Sequence, residues 1–229
     1  MPGEIVGMIG PNGSGKSSLI NLLSGIYTPD EGQIFFSGEN ITNLPAYAVT
    51  SKGIARTFQN LRVFGNVTVL DNLLIGRHCK IPNSLWGLHF NPIGARRVER
   101  EAQDSVLALL DLVNLYDRRN AFARNLPYGD QRLLEICRAL ASDPKLLLLD
   151  EPCAGMNPAE METLAAFLKT LQQRGITIFI IEHNMKFIMS LAERIIVMNA
   201  GEKFKEGLPS EIQSDIQVQK IYLGEEEEV

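Results

Sequence analysis

Apolar residues along the chain fall into short continuous runs that alternate with longer stretches of helical spacing. A continuous apolar run of strand length predicts a strand that is buried on both faces, as in a parallel sheet. Such runs occupy residues 4–9, 145–150, 176–182 and 195–198. Apolar positions three and four residues apart predict helices at 18–24 and 159–174. The alternation predicts an α/β fold, a mainly parallel sheet flanked by helices, with ligands bound at the carboxyl ends of the strands.

The middle of the chain has weaker strand signals and more helical ones. Short strands are predicted at 33–36 and 54–58, and a helix at 67–77 with Thr68 as its cap. Other predicted elements are helices at 95–116 and 130–141, one or two short helices at 209–222, a loop at 81–94 and a solvated acidic tail at 225–228. We therefore expect residues 67–140 to form a helical subdomain inserted into a core made of residues 1–66 and 141–229.

The first predicted strand leads directly into Gly10–Ser17, which reads Gly-Pro-Asn-Gly-Ser-Gly-Lys-Ser. A strand, this glycine spacing and a following helix together predict a phosphate-binding loop. Glycines let the backbone N–H groups point inward at phosphate oxygens, and the positive end of the helix faces the same anion. Lys16 can reach the terminal phosphates, and the Ser17 hydroxyl can ligate Mg²⁺. The stretch is therefore predicted to bind a nucleoside triphosphate.

Acidic residues and a histidine follow two of the other predicted strands. Asp150 ends a run of four leucines and is followed by Glu151 and Pro152, while His183 ends the next apolar strand. At the exit of a strand beside the phosphate loop, Asp150 can hold Mg²⁺, and Glu151 can deprotonate the water that attacks the γ-phosphate. The alternative is that the acids cap the following turn. His183 lies level with Asp150, which favours a role in catalysis over a structural one.

Composition excludes several other classes of protein. The chain has 229 residues and a formal net charge of −5, which argues against a nucleic-acid-binding protein. Its cysteines, Cys79, Cys137 and Cys153, are odd in number and widely spaced, as in a cytosolic protein with reduced thiols. No apolar run approaches the roughly 18 residues that span a bilayer, and the N-terminus lacks a secretion signal. We expect a soluble chain that reaches a membrane only by docking on a partner.

The order and spacing of these motifs resemble those of ATP-binding cassette (ABC) ATPases, which have a P-loop NTPase core. The resemblance rests on the phosphate loop, Gln59 at a strand end, Leu126-Pro-Tyr-Gly-Asp-Gln-Arg132, Asp150-Glu151-Pro152 and His183. It covers nearly the whole chain. Residues 55–62, 67–74, 154–158 and 181–185 are similar to the ATPase subunits of branched-chain amino-acid importers in particular.

The resemblance implies roles for individual residues. The cradle for ATP would consist of Gly10, Pro11, Asn12, Gly13, Ser14, Gly15, Lys16, Ser17 and Ser18. Mg²⁺ would be held by Ser17, Gln59 and Asp150. Gln59 would also relay the nucleotide state to the helical subdomain, Glu151 would be the general base, and His183 would hold the γ-phosphate and the water in line.

The resemblance also implies partners and a location. Two such subunits would pair head to tail, each offering Tyr128, Gly129 and Asp130 of its 126–131 segment to the ATP on the other. Closure of the dimer would drive integral membrane permeases, whose coupling helices would enter a groove near Gln59 on the cytoplasmic face of the membrane. A periplasmic or extracellular binding protein would act only indirectly, and no nucleic acid would be involved. The alternatives are an ATP-dependent switch without transport, a lipopolysaccharide-type exporter ATPase and a catalytically impaired nucleotide-binding subunit.

Three features depart from the family pattern. The chain begins at Met1-Pro-Gly-Glu4, directly on the first strand, so the family's earlier antiparallel strand and adenine-stacking aromatic residue are expected to be missing. Pro127 replaces the usual serine and removes a hydroxyl and a backbone N–H. Asp130 replaces the usual glutamine and would bring a negative charge toward ATP. We therefore expect slower ATP hydrolysis and weaker ATP-driven pairing than a consensus sequence would give.

Overall fold

The structure is a computed structural model that describes residues 2–80 and 92–223. The predicted loop around Trp86 lies mostly outside the described residues, and the predicted acidic tail lies entirely outside them. None of the described helices is long and apolar enough to cross a membrane.

The central feature is a six-stranded sheet. In chain order the strands of the chain are β1 (Ile5–Ile9), β2 (Phe35–Phe36), β3 (Glu39–Asn40), β4 (Ile54–Arg56), β5 (Leu146–Asp150), β6 (Thr177–Ile181), β7 (Arg194–Asn199) and β8 (Glu202–Gly207). The sheet has the order β4-β5-β6-β1-β7-β8. Its first five strands are parallel, and β8 pairs antiparallel with β7. Strands β2 and β3 form a separate antiparallel pair.

Helices surround the sheet. They are α1 (Lys16–Leu23), α2 (Ala46–Ser51), α3 (Val69–Arg77), α4 (Pro92–Leu112), α5 (Tyr128–Leu140), α6 (Pro158–Gln173), α7 (Met185–Leu191), α8 (Pro209–Ser214) and α9 (Ile216–Leu223). Helix α3 packs against α4 and α5, and one continuous apolar core joins these helices to the sheet. The division into a core and an inserted helical subdomain stays a prediction.

The predicted α/β class is confirmed, and several elements are confirmed nearly to the residue. The Thr68 side chain caps α3 as predicted, because its oxygen accepts the Asp71 N–H at 3.0 Å. The helix predicted at 95–116 instead runs from Pro92 to Leu112. Proline suits the first turn of a helix, where its missing N–H has no partner to lose, and Asn114 takes a positive φ of 56° just beyond the last turn.

The strand predicted at 54–58 ends earlier, at Arg56. Some other elements of the structure have no counterpart among the elements predicted from the sequence. They are α2, β3, α7 and β8. Strand β8 is mostly exposed and reads Glu-Lys-Phe-Lys-Glu-Gly, so it carries no apolar run. It forms because the edge of β7 offers it a row of backbone partners.

Candidate functional site

The loop between β1 and α1 has the close approaches that its glycines predict. A Cβ atom on Gly10 would lie 2.2 Å from the Met198 carbonyl oxygen of β7, so no side chain fits there. Gly15 has a φ of 98° and forms the N-cap of α1, a conformation that side chains disfavour. Backbone hydrogen bonds from Ser14 N–H to the Pro11 carbonyl (3.2 Å) and from Gly201 N–H to the Ser14 carbonyl (3.1 Å) close the loop. The N-terminus of α1 is thereby held at the carboxyl end of β1, as anion binding requires.

The ammonium group of Lys16 lies folded against its own loop. Its Nζ donates hydrogen bonds to the carbonyl oxygens of Gly10 (2.8 Å) and Pro11 (2.7 Å) and lies 3.5 Å from Ser14 Oγ. The residue is 6% exposed. Phosphate oxygens are stronger acceptors for an ammonium group than carbonyl oxygens are, so a bound triphosphate can draw Lys16 out of this position. Asn12, Ser17 and Ser18 are exposed around the same loop.

Of the three residues predicted to be catalytic, Glu151 contacts each of the other two. Gln59 Nε2 donates to Glu151 Oε2 at 3.0 Å, and His183 Nε2 lies 3.2 Å from Glu151 Oε1. The register pairs Asp150 of β5 with Ile181 of β6, so Glu151 and His183 leave neighbouring strands at the same edge. The predicted assembly of these side chains at the carboxyl end of the sheet is what the fold produces.

Glu151 leaves β5 in an unusual backbone conformation. Its φ is 47°, in the left-handed region that non-glycine residues adopt only when the surroundings enforce it. The Glu151 N–H donates to the Ile181 carbonyl at 2.9 Å, which continues the pairing of β5 with β6 by one residue. The side chain then meets both Gln59 and His183. A strained acidic residue at this position favours a functional role over a simple turn cap.

Asp150 is buried and pairs with Arg56, a residue that the sequence did not single out. Arg56 Nη2 lies 3.1 Å from Asp150 Oδ2, and the two side chains are 10% and 7% exposed. Burial raises the pKa of Asp150, and the guanidinium of Arg56 opposes that rise. Arg56 also donates to Asn21 Oδ1 (2.6 Å) and Ser24 Oγ (3.1 Å) at the end of α1. It therefore joins three elements of the site.

A second unpredicted residue, Glu182, anchors the loops on either side of the site. Its Oε1 accepts the Cys153 N–H at 2.8 Å, and its Oε2 accepts the N–H groups of His183 (3.1 Å) and Asn184 (3.2 Å). The residue is only 3% exposed. The sequence does carry a signal for Glu182, because it is a third acidic residue at a strand end and directly precedes His183.

The predicted segment Tyr128–Asp130 forms the first turn of α5. Tyr128 Oη donates to the Ala154 carbonyl at 2.8 Å, in the loop that follows Glu151. Gly129 packs on Glu160 so closely that a Cβ atom would lie 2.7 Å from its Oε1. Asp130 Oδ2 accepts from Arg118 Nη1 at 3.1 Å. Contact of this turn with the nucleotide of another subunit stays a prediction.

The side chains predicted to hold Mg²⁺ carry oxygen donors of the kinds that this ion prefers. Within residues 2–80 and 92–223, no three His, Cys, Asp or Glu side chains are grouped as a self-sufficient metal site. Mg²⁺ commonly takes one or two protein oxygens and completes its shell with phosphate and water. The hydroxyl of Ser17, the carboxylate of Asp150 and the amide of Gln59 supply such donors.

Comparisons with known proteins agree with this site. A family model described as "ABC transporter" matches residues 1–154. The chain is 43% identical over 224 residues to a Pseudomonas aeruginosa protein named "High-affinity branched-chain amino acid transport ATP-binding protein BraF", a match that covers 97% of this chain and 88% of that protein. The similarly named LivG of Escherichia coli is 39% identical over 225 residues, 98% of this chain and 88% of that protein.

A solved structure shows the same fold. The crystal structure of the ADP conformation of an ATP-binding cassette from an ABC transporter has a TM-score of 0.84 and 34% sequence identity, covering 97% of this chain and 89% of that chain. The family match spans more than half of the chain, and the sequence relatives span nearly all of it. This chain therefore belongs to the ABC transporter family, as one of its ATP-binding, ATP-hydrolysing subunits.

Proposed function

We propose that this chain hydrolyses magnesium-bound ATP with Glu151 as general base and thereby powers an importer of branched-chain amino acids. The observation that carries the mechanism is the contact of Glu151 with both Gln59 and His183, one residue beyond Asp150 at the carboxyl end of β5. The names of the relatives BraF and LivG support the solute.

The loop of residues Gly10–Ser18 binds the triphosphate in this proposal. Lys16 exchanges the carbonyl oxygens of Gly10 and Pro11 for oxygens of the terminal phosphates. Ser17, Asp150 and Gln59 would hold Mg²⁺, which would neutralise part of the charge on the phosphate oxygens. The helix N-terminus at Gly15 adds a positive potential on the same side.

Hydrolysis needs a base placed at the far side of the γ-phosphate. The carboxylate of Glu151 accepts a proton from the attacking water as the water oxygen bonds to the γ-phosphorus, and ADP leaves with the bridging oxygen. His183 orients the Glu151 carboxylate from one side, and Gln59 from the other. Both contacts reduce the number of positions that the carboxylate can take before the reaction begins.

The proposal includes partners and a location. A second ATP-binding subunit would offer its Tyr128–Asp130 turn to the nucleotide bound here. Integral membrane permeases would carry the solute and would bring the chain to the cytoplasmic face of the membrane, with a periplasmic or extracellular binding protein acting through them. The acidic net charge fits a protein partner better than nucleic acid.

Single-turnover hydrolysis by a Glu151→Gln variant tests the mechanism. We expect the hydrolysis rate to fall by about 10²–10⁴-fold, because the amide cannot accept the proton, while binding of a fluorescent ATP analogue is kept. Glu162→Gln, an exposed acid on α6, is the matched control and should keep the full rate. Hydrolysis by Glu151→Gln at the rate of that control would reject Glu151 as the base.

Uptake measurements test the solute separately. Cells that express this chain together with the permeases and binding protein of its importer should take up labelled leucine, isoleucine or valine. Uptake should be lost when this chain carries Glu151→Gln. ATP hydrolysis without uptake of any of the three amino acids would reject the solute and leave the ATPase mechanism in place.

A further inference from the structure

Helix α5 carries a buried ion pair that the mechanism above does not use. Arg132 Nη1 lies 2.9 Å from Glu135 Oε2, and the two side chains are 1% and 2% exposed. Taking two charges out of water is costly, and apolar residues of similar volume often stabilise such a position at least as well. A contribution to folding is therefore a weak reason for the pair to be present.

Three further hydrogen bonds of the pair go to one short segment of backbone. Arg132 donates from Nη1 to the Phe58 carbonyl at 3.1 Å and from Nη2 to the Gln59 carbonyl at 2.9 Å. Glu135 Oε1 accepts the Arg62 N–H at 3.1 Å. The two side chains thus hold the main chain of residues 58–62 at three points, and this stretch contains Gln59.

The held segment has little other support from the sheet. Strand β4 ends at Arg56, α3 begins at Val69, and residues 58–64 belong to no helix or strand. Farther along, Asn72 of α3 donates to the Phe64 carbonyl (3.1 Å) and accepts the Phe64 N–H (2.9 Å). Backbone groups outside helices and strands take other hydrogen-bond partners, and here side chains of α5 and α3 supply several of them. The position of the segment therefore follows the helices more than the sheet.

A second contact links the same arginine to the other side of the site. Arg132 Nη2 lies 3.2 Å from Tyr128 Oη, which in turn donates to the Ala154 carbonyl. Ala154 N–H donates to the Glu151 carbonyl at 3.2 Å. Arg132 is therefore connected both to the main chain of Gln59 and to the loop that begins at Glu151.

We propose that Arg132 and Glu135 are positioning residues that tie the placement of Gln59 to the position of α5. A shift of α5 moves the carbonyl of Gln59 with it, so the side-chain contact of Gln59 with Glu151 forms only in one placement of the helix. The pair acts through Gln59 and does not itself touch the nucleotide. This inference rests on the role of Gln59 in the proposed hydrolysis.

Single-turnover kinetics test whether the pair affects the rate of hydrolysis. The variants are Arg132→Gln, Arg132→Lys and Glu135→Gln. We expect Arg132→Gln to lower the hydrolysis rate about tenfold or more with little change in the KM for ATP, since misplacement of a positioned group by about 1 Å can cost as much as 10²-fold. A lysine ammonium lacks the planar fork with which Arg132 reaches Glu135 and both carbonyls at once, so Arg132→Lys should recover only part of the rate. Arg194→Gln, which breaks a more exposed pair with Glu4 at the far end of the sheet, is the control.

Combining each change with Gln59→Ala separates positioning from general destabilisation. If Arg132 acts through Gln59, Arg132→Gln should cause no further loss of rate once Gln59 is alanine. A loss by the same factor in both backgrounds, or an equal loss in Arg194→Gln, would overturn the inference. If Arg132→Gln does not fold, Glu135→Gln and Arg132→Lys give the same comparison.

Hydrogen exchange gives a readout that does not depend on hydrolysis. The Arg62 amide should exchange faster in Glu135→Gln, because a neutral amide is a weaker acceptor than a carboxylate, whereas the amides of β5 should be unaffected. Unchanged exchange at Arg62 would overturn the inference even if the rate falls. A normal rate in Gln59→Ala would instead reject the role of Gln59 in the proposed function, and the exchange result would still decide whether the pair holds the segment.

Discussion

Replacement of Arg56 by methionine would leave the buried carboxylate of Asp150 without its guanidinium partner. The two side chains are 10% and 7% exposed, with Nη2 and Oδ2 3.1 Å apart. Removing one member of such a pair typically costs about 3–5 kcal/mol, because the other charge stays buried without compensation. The hydrogen bonds of Arg56 to Asn21 and Ser24 would also be lost. We therefore expect Arg56→Met to lower the free energy of unfolding by about 4 kcal/mol.

Urea unfolding followed by circular dichroism, without nucleotide, measures this change. A loss of about 4 kcal/mol should also lower the melting temperature by on the order of 10 °C for a chain of this length. Arg118→Met is the matched control, because it breaks the Arg118–Asp130 pair, whose side chains are 52% and 31% exposed. An exposed pair contributes about 0–1 kcal/mol.

The double variant Arg56→Met with Asp150→Asn tests whether the buried charge of Asp150 causes the loss of stability in Arg56→Met. Asparagine removes the uncompensated charge, so the double variant should be more stable than Arg56→Met alone by about 1–2 kcal/mol. Two results would refute the reasoning. One is a loss in Arg56→Met no larger than that in Arg118→Met, and the other is a double variant less stable than Arg56→Met.

Three further predictions concern the nucleotide loop, the signature turn and the acid limit of stability. In the parent chain, ATP at 100 times its Kd should stabilise the folded state by about 2.7 kcal/mol and so raise the melting temperature. Lys16→Met should lose this rise, and an unchanged rise would contradict the role assigned to Lys16. Pro127→Ser with Asp130→Gln should raise steady-state ATPase turnover, and an unaltered rate would count against the inferred weakness of this turn. Arg194 lowers the pKa of Glu4 from 4.5 to about 2, so the stability from this pair is present above pH 4.5 and lost as the pH falls toward 2. Because Arg194 is partly exposed, solvent screening reduces this loss of stability to about 1–2 kcal/mol. The acid-unfolding curve of Glu4→Gln should no longer show this loss.

The sequence predicts that Glu151 and His183 lie at the same edge of the sheet, because both follow buried strands. Each follows an apolar run that is recognisable by itself, and parallel strands bring their carboxyl ends to one edge of the sheet. The loop at Lys16 is predictable for a similar reason, since its strand, glycines and helix are contiguous. Functional residues at the ends of buried strands can therefore be located from the sequence before the structure is known.

The partners of Arg56, Glu182 and Arg132 could not be predicted in the same way. Arg56 meets Asp150 across 94 residues of sequence, and Arg132 meets the Gln59 carbonyl across 73. Arg56 lies opposite Leu148 in the register of β4 with β5, two residues from Asp150, but the sequence alone does not show that these two strands are neighbours. The contact of Arg132 belongs to no strand register or helical repeat. Apolar periodicity determines which face of an element is buried, but it does not determine which distant backbone group a buried charge will reach.

Buried charge in this protein is concentrated where segments of the site meet. Among the described residues, the buried charged residues are Glu4, Lys16, Arg132, Glu135, Asp150 and Glu182. All except Glu4 lie against the phosphate loop, against the cluster of Gln59, Glu151 and His183, or against the backbone that carries this cluster. Because desolvation makes such groups poor sources of stability, their location is better explained by the geometry that they impose. Replacing Arg132 and Glu135 together by apolar residues of similar volume would then separate folding from hydrolysis, because the core could tolerate the loss of the whole pair while the positions of Gln59 and Glu151 could not.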